Sequence, residues 1–524
     1  MTRSSSRPIL FSLAALAFAA SASACGDDST STTEGGGSGG ATTATTGVST
    51  ATASTSGSGG GSDGGGGGEA SLPEGLVFEA TPADADAVAR ELVGLPKGAT
   101  HLEGESFIVH TCMSPECFDD ASALSFLAQA DDAGDFLIEP VVDVTAGPDP
   151  AAEVNAYFHF EAFLERFREL GFPGLDEPAH VILDVWLDLD GDGERDEFFA
   201  GATEIFGRPG IVMGTVGDRN LAYDPDVFGH EFTHIVTGVS CDASLESALD
   251  PTGPSIAAGA LREGTADFFA ASFMDDPEIG EYSTEPLGAP YFSSVDNDAS
   301  CPLWLVGEAH ADGQIWSGAL WEIRDAVGAA LLEQAVFDVL RELPIRSTLP
   351  AVFTALRELL APDLDDAAMD AFDDVVAARG IELCRGVAPL DVGTAAPLWV
   401  LGRTEEIWND AHDVSLAFDE MPAALQFRID VPEDVTAIEI DLVPGEDSGF
   451  DPDLATIHVR ANETVEYAHD GEELSVADDA SVVGPLSLDG ASTPALNGFP
   501  IFVSITYAGD FGDYAVVRVR DASP

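Results

Sequence analysis

The sequence predicts an α+β chain that ends in an all-β portion. Three observations predict this. Apolar residues recur at helical spacing across 155–170 and again across 329–378. Short apolar runs at 106–111, 136–144, 181–187 and 210–216 read as strands. From about Leu390 the period changes to two: Leu425, Phe427, Ile429 and Val431 alternate, as do Ile438, Ile440 and Leu442, then Ile457 and Val459, then Ile501, Val503 and Ile505. Turns such as Asp451-Pro452 and Gly509-Asp510 separate these runs, the pattern of an antiparallel β-sandwich.

Length and composition bound the rest. The chain has 524 residues with 45% hydrophobic, enough for two or three domains with real cores. It carries 93 acids against 21 bases, a formal charge of −72, and Lys97 is its one lysine. Such a surface repels phosphate backbones and anionic lipid, which excludes nucleic acid as the expected partner. There is no long acidic block, so the charge is expected on solvated faces.

At the N-terminus, Arg3 and Arg7 precede an apolar run from Ile9 to about Ala22, too short for a spanning helix and placed as an export signal over residues 1–24. Ala22-Ser23-Ala24-Cys25-Gly26 resembles a bacterial lipobox, in which the thiol of Cys25 is lipidated after cleavage; ordinary secretion with cleavage near Ala24 is the alternative. Either way the mature chain is expected outside the cytoplasm, as a cell-envelope lipoprotein or an extracellular protein. Any membrane contact is expected through the lipid alone. Residues 26–71 are Gly, Ser and Thr with few large apolar side chains, so the segment from Cys25 to 71 reads as a flexible tether or a low-complexity tail without a role. The expected folded units are 72–389 and 390–524.

Cysteine usage fits export. Cys112 and Cys117 are spaced for a small disulfide loop, and Cys241 with Cys301 can staple the region of chemistry, which leaves Cys384 unpaired.

Taken in order, residues 84–93 have helical spacing, with Ala85, Val88, Ala89 and Leu92 on one face. Residues 155–170 form a helix that places Tyr157, Phe160, Phe163, Leu164 and Phe167 on apolar faces, stopped by Gly171. After the strand at 181–187, Asp188, Asp190, Asp192 and Asp196 alternate with Gly at the sixth position. This is how a calcium loop begins, yet Phe199 stands where a bidentate Glu belongs, so calcium and an acidic turn both remain open.

The chemistry starts at Gly229-His230-Glu231-Phe232-Thr233-His234. On a helix, residues four apart leave the same face one turn apart, so both imidazoles can reach one metal ion. Zinc lowers the pKa of a water it holds towards ~7, and the Glu231 carboxylate beside it can take the proton. Asp226 near the helix start suits the helix dipole. A catalytic zinc takes three protein ligands and leaves one position open. Glu263, in Arg262-Glu263-Gly264-Thr265-Ala266-Asp267, can be the third. Asp267, one turn on, can hold the free ring nitrogen of a ligand His. Further along, His310 sits in a polar, Gly-containing segment before an amphipathic helix at 315–327. A donor there, opposite the zinc, would stabilise an oxyanion.

Together these motifs resemble the thermolysin-like metallopeptidases of the gluzincin group, with the fungalysin branch nearest. The resemblance covers about 155–383. It rests on Asn155-Ala156-Tyr157, Leu170-Gly171-Phe172, Tyr223-Asp224-Pro225-Asp226-Val227, the His230 motif, Glu263-Gly264 with Asp267-Phe268-Phe269, and His310-Ala311-Asp312-Gly313-Gln314-Ile315-Trp316-Ser317. It implies a two-lobed zincin domain, β-rich before the cleft and helical after it. It implies zinc on His230, His234 and Glu263, Glu231 as general base, and His310 as oxyanion stabiliser. Asp451-Pro452-Asp453-Leu454 and Gly512-Asp513-Tyr514-Ala515-Val516 resemble pre-peptidase C-terminal domains, which implies an accessory role for the sandwich.

Three departures stand out. Arg262 occupies a position where relatives often place Asn. Leu305, not Asp, stands five residues before His310, and Glu308 is the nearest acid. The stretch between Cys25 and Asn155 is too short for the family's long inhibitory propeptide. The expected function is therefore a lipid-anchored, secreted zinc endopeptidase acting on protein or peptide as a monomer. The alternative is a non-catalytic surface lipoprotein that keeps the scaffold for binding.

Overall fold

The computed structural model describes residues 72–114, 117, 121–142, 147–185, 198–240, 248–250, 252–255, 257–342, 347–400, 407–409, 414–416, 420–445, 448–469, 474–496, 498–509 and 513–524. Cys25, the tether, the candidate calcium loop with Asp188, Asp190, Asp192 and Asp196, and Cys241 lie outside these residues. The architecture is α+β, with β-rich structure first, helices in the middle and further sheets at the C-terminus.

The chain opens with a hairpin, β1 (Glu74–Val77) against β2 (Val88–Glu91). Residues 84–93 were expected as a helix. Instead a turn closed by Thr81 returns the chain along β1, and Val88 and Arg90 alternate with Ala89 and Glu91 in exposure. Cross-strand bonds to a neighbour satisfy the backbone here, where isolated helix formation over so few residues is marginal. Of the expected strand at 136–144, the described residues 136–142 form only a single bridge, from Phe136 to Gly75. Pro140 follows it, and proline cannot donate to a ladder.

The main N-terminal sheet runs in the order β4 (Leu124–Ser125), β3 (Phe107–Cys112), β5 (Ala179–Leu183), β7 (Arg208–Val216), β6 (Phe198–Ile205), with β8 (Arg219–Asn220) on β7. Strands β3, β5 and β7 are parallel, and the edges are antiparallel. Parallel neighbours need a crossover. Between β3 and β5 it is α1 (Pro150–Glu169), capped by the Asp149 side chain on Ala151 N–H and ended by Gly171 at φ 93°. Gly171 supplies the left-handed residue that such a helix end needs. α1 buries Tyr157, Phe160, Phe163, Leu164 and Phe167 completely or nearly so.

Six longer helices follow among the described residues: α2 (Pro225–Ser240), α3 (Ala257–Met274), α4 (Ala309–Val327), α5 (Ala329–Glu342), α6 (Leu349–Leu360) and α7 (Asp366–Ala378). α4 begins six residues before the expected start at Ile315, because Glu308 accepts hydrogen bonds from the N–H groups of His310 and Ala311. Cys112 bonds Cys117. Cys301 bonds Cys384 rather than Cys241, and so Cys384 is not unpaired. The turn after α7 comes back onto the segment before α4: Cys301 N–H donates to Arg379 O at 2.9 Å, and the Arg379 guanidinium donates to Asn297, Ala299 and Gly318 carbonyls. This fold-back, invisible in cysteine spacing, sets the pairing.

Among the described residues the C-terminal strands form two hairpins, Ile407–Asn409 with Val414–Leu416 and Glu466–His469 with Leu474–Ala477, and two larger sheets. One orders Val387–Pro389, Gln426–Ile429, Ile501–Tyr507, Ala455–Ala461 and Ala480–Val483, with Met421–Pro422 added to Ile501–Tyr507. The other orders Ala395–Val400, Asp513–Asp521, Ala437–Pro444 and Leu486–Asp489. Pairing is antiparallel except between Val387–Pro389 and Gln426–Ile429. The alternating residues Ile438, Ile440, Ile457, Val459, Ile501, Val503 and Ile505 are fully buried in one core. Buried Gln426 donates to Thr252 O at 2.8 Å, which ties this portion to the hairpin Ala248–Asp250/Gly253–Ser255 that leads into α3. Among the described residues, no helix is long and apolar enough to cross a membrane.

Candidate metal centre

α2 is two-faced. One side buries Phe228 and Phe232 against α1, with ring centroids 4.8 Å apart for Phe160–Phe228 and 5.9 Å for Phe167–Phe232. Phe269 of α3 joins Phe167 at 5.0 Å. Each such ring contributes about 1.5–3 kcal/mol on burial, so this cluster sets how the three helices sit. The other side of α2 presents His230 and His234. Gly229 makes the approach possible, since a Cβ there would lie 2.7 Å from the Phe163 ring and 3.1 Å from the Ala270 backbone.

α3 then delivers Glu263. Its Oε2 lies 3.3 Å from His230 Nε2 and 3.2 Å from His234 Nε2, and the two imidazole nitrogens are 3.1 Å apart. These three residues are the group among the described residues whose ligand atoms all fall within 4.8 Å of one another. A tetrahedral zinc with bonds of ~2.0–2.1 Å spaces its ligand atoms roughly 3.3 Å apart, so the spacing fits that ion. The donor set of two imidazoles and a carboxylate fits it too. Buried Glu263 Oε2 and His234 Nδ1 have no hydrogen-bond partner among the described residues.

The ligand candidates are themselves held. His230 Nδ1–H donates to Asp267 Oδ1 at 2.9 Å, which leaves Nε2 for the ion, and Asp267 Oδ2 accepts from Ser293 Oγ at 2.7 Å. Glu263 Oε1 accepts from Arg262 Nε and Nη2, each at 3.2 Å. Glu231 follows His230 on α2, and its buried Oε2 has no partner among the described residues. Burial pushes the Glu231 carboxyl up from its ordinary range. Burial would do the same to Glu263, but the charges of His234 and His310 outweigh it and hold that carboxyl well below the usual range. For His230, burial opposes protonation, and the carboxylates of Asp267 and Glu263 win, raising its pKa well above the usual value among the protein groups alone.

His310 enters from the first turn of α4. Its Nε2 lies 3.3 Å from Glu263 Oε2, and its Nδ1 donates to Glu308 Oε1 at 2.7 Å. Glu308 thus does what an Asp five residues earlier would do. Buried Asp312 accepts from the N–H groups of Val306 and Gly307 at 2.7 and 2.8 Å and pins the loop that carries Glu308. Burial works against a charged His310, yet Glu263 and Glu308 raise its pKa to about 9. Among the protein groups alone the ring is therefore charged at neutral pH, with an Nε2–H to give.

What brings α3 and α4 together is a glycine pair. A Cβ on Gly264 would lie 2.3 Å from Gly313 O, and one on Gly313 would lie 2.9 Å from Gly264 N. Trp316 Nε1 seals the crossing by donating to Thr265 Oγ1 at 2.9 Å.

No family model matches the sequence. No curated protein matches it either. Among solved structures, the chain is similar to one described as a precursor of protealysin, a metalloproteinase from Serratia proteamaculans. The identity is 17% and the TM-score 0.33, over 44% of this chain and 78% of that one. At that distance the reading of the centre rests on its own geometry.

The fold therefore brings His230, His234, Glu263, Glu231, Asp267 and His310 to one place. Sequence reasoning passed over the roles of three neighbours. In the sequence Arg262 is only a departure from the family pattern and Glu308 only the acid nearest His310. Ser293 carries no signal in the sequence, because a lone serine 26 residues from its partner is unremarkable.

Proposed function

We propose that this protein is an exported zinc-dependent endopeptidase, anchored by a lipid on Cys25. The observation that carries the proposal is the convergence of two imidazoles and one carboxylate within 4.8 Å, with buried Glu231 beside them on α2. Zinc, when bound, supplies Lewis acidity, which makes a water easier to deprotonate near neutral pH and polarises a peptide carbonyl. His230, His234 and Glu263 would hold it. Glu231 accepts the proton of the attacking water. Burial raises its basicity, which suits a base working near neutral pH. It then hands that proton to the leaving amine. His310 donates its Nε2–H to the negative charge growing on the carbonyl oxygen, and Glu308 keeps its ring in place. Asp267 holds His230 in the tautomer that ligates.

Export is supported by the N-terminal Arg3/Arg7 and apolar run and by two disulfides, which persist in oxidising compartments. The binding-only reading was motivated by the missing Asp before His310. Glu308 meets that need, so the motive falls away. The test is Glu231→Gln: the variant should bind one zinc and fail to cleave a denatured protein that the wild type cleaves in a chelator-sensitive way. Cleavage at the wild-type rate by that variant would remove Glu231 from the chemistry.

A further inference from the structure

We infer that Arg262 is a positioning residue for the metal centre. It takes up one oxygen of Glu263, so the other faces the imidazoles. The inference rests on the zinc reading above. Residues adjacent on a helix point about 100° apart and do not ordinarily meet. Yet the Arg262 guanidinium folds back along α3 and places both Nε and Nη2 at 3.2 Å from Glu263 Oε1. The arrangement is lopsided. Both Arg262 donors go to Oε1, while Oε2 lies 3.2–3.3 Å from the Nε2 atoms of His230, His234 and His310. The Glu263 side chain is 3% exposed and that of Arg262 29%, so the guanidinium brings a charge from the rim onto a carboxylate that water barely reaches.

Two consequences follow from the chemistry. A carboxylate with one oxygen engaged in a guanidinium fork cannot easily swing to offer both oxygens to an ion, so it ligates through one. It also stays anionic in a buried setting. Lysine cannot reproduce this, since it is a point charge without the planar fork. Partners that orient a metal ligand are typically worth 10–100-fold in metal affinity.

The experiment uses the mature full chain, its metal removed and replaced with Zn2+ or Co2+. Zinc affinity is measured by chelator competition for wild type, Arg262→Met and Arg262→Lys, with thermal melts as a folding control. The visible absorption of the Co2+ forms reports coordination number, which a merely structural role would not move. Arg262→Met should bind zinc about 10–100-fold more weakly. Its Co2+ bands should lose intensity as Glu263 turns bidentate. Arg262→Lys should fall between it and wild type on both readouts. Equal zinc affinity and an unchanged Co2+ spectrum in Arg262→Met would overturn the inference while leaving the zinc site standing. Failure of wild type to take up one zinc would overturn the site itself. If Arg262→Met does not fold, Arg262→Lys decides alone, and wild-type behaviour on both readouts overturns the inference.

Discussion

Replacing Glu308 by Gln tests how His310 is held. In the structure Glu308 makes three contacts: His310 Nδ1 at 2.7 Å, His310 N–H at 3.1 Å and Ala311 N–H at 2.9 Å. Gln keeps an amide oxygen for one or two of these but loses the charge. A hydrogen bond to a charged group is worth about 1.5–3 kcal/mol. At 1.36 kcal/mol per tenfold, that predicts a loss of roughly 10–150-fold in kcat/KM. Zinc content should not change, because Glu308 is not among the ligand candidates. The pH profile should change in a defined direction. His310 donates only while protonated, so activity falls as pH rises through its pKa. Among the protein groups alone that pKa stands at about 9, raised by Glu263 and Glu308 against burial. Removing the Glu308 charge lowers it, and the alkaline limb of kcat/KM moves to lower pH. The assay is cleavage of a fluorogenic peptide from pH 6 to 10, with Glu308→Gln made alone and on a His310→Ala background. In that background the second change should be nearly silent, since both residues act through one ring. An unshifted alkaline limb, or a full additional loss in the double variant, would refute the reasoning.

Other predictions follow from the same geometry. Gly264→Ala puts a methyl 2.3 Å from the Gly313 carbonyl. Overpacking against backbone should cost about 1–3 kcal/mol, read as a lower melting temperature with weaker zinc retention. A melt matching wild type would show that the helix crossing is looser than described. Stripped of metal, the protein should bind zinc more tightly as pH rises. His230, whose pKa is raised well above 6.5, must lose a proton before it can ligate. Competition titrations between pH 6.5 and 8.5 check the sign, and a flat profile would contradict it.

How much of this was legible beforehand depends on whether the signal is local. The four-residue spacings of His230 with His234 and of Glu263 with Asp267 are set by helical pitch, which backbone geometry alone imposes. They could be read without knowing what packs where. The alternation of Ile438, Ile440 and Leu442, or of Ile501, Val503 and Ile505, is local in the same sense, since it follows from the pleat of a strand with one buried face. The sequence therefore determined the helices carrying the candidate ligands and the alternating strands of the C-terminal sheets.

The tertiary structure decided which distant segments meet. It joined Cys301 to Cys384 because the turn after α7 folds back against the segment before α4. It made a strand of Val88–Glu91 because β1 lay alongside to bond it. It closed α3 on α4 through Gly264 and Gly313, two glycines whose importance lies wholly in each other's backbone. It also extended α4 back to Ala309, which let Glu308 cap the helix and hold His310 at once. Such pairings depend on proximity between residues far apart in the chain, or on where an element happens to begin, and no periodicity encodes either.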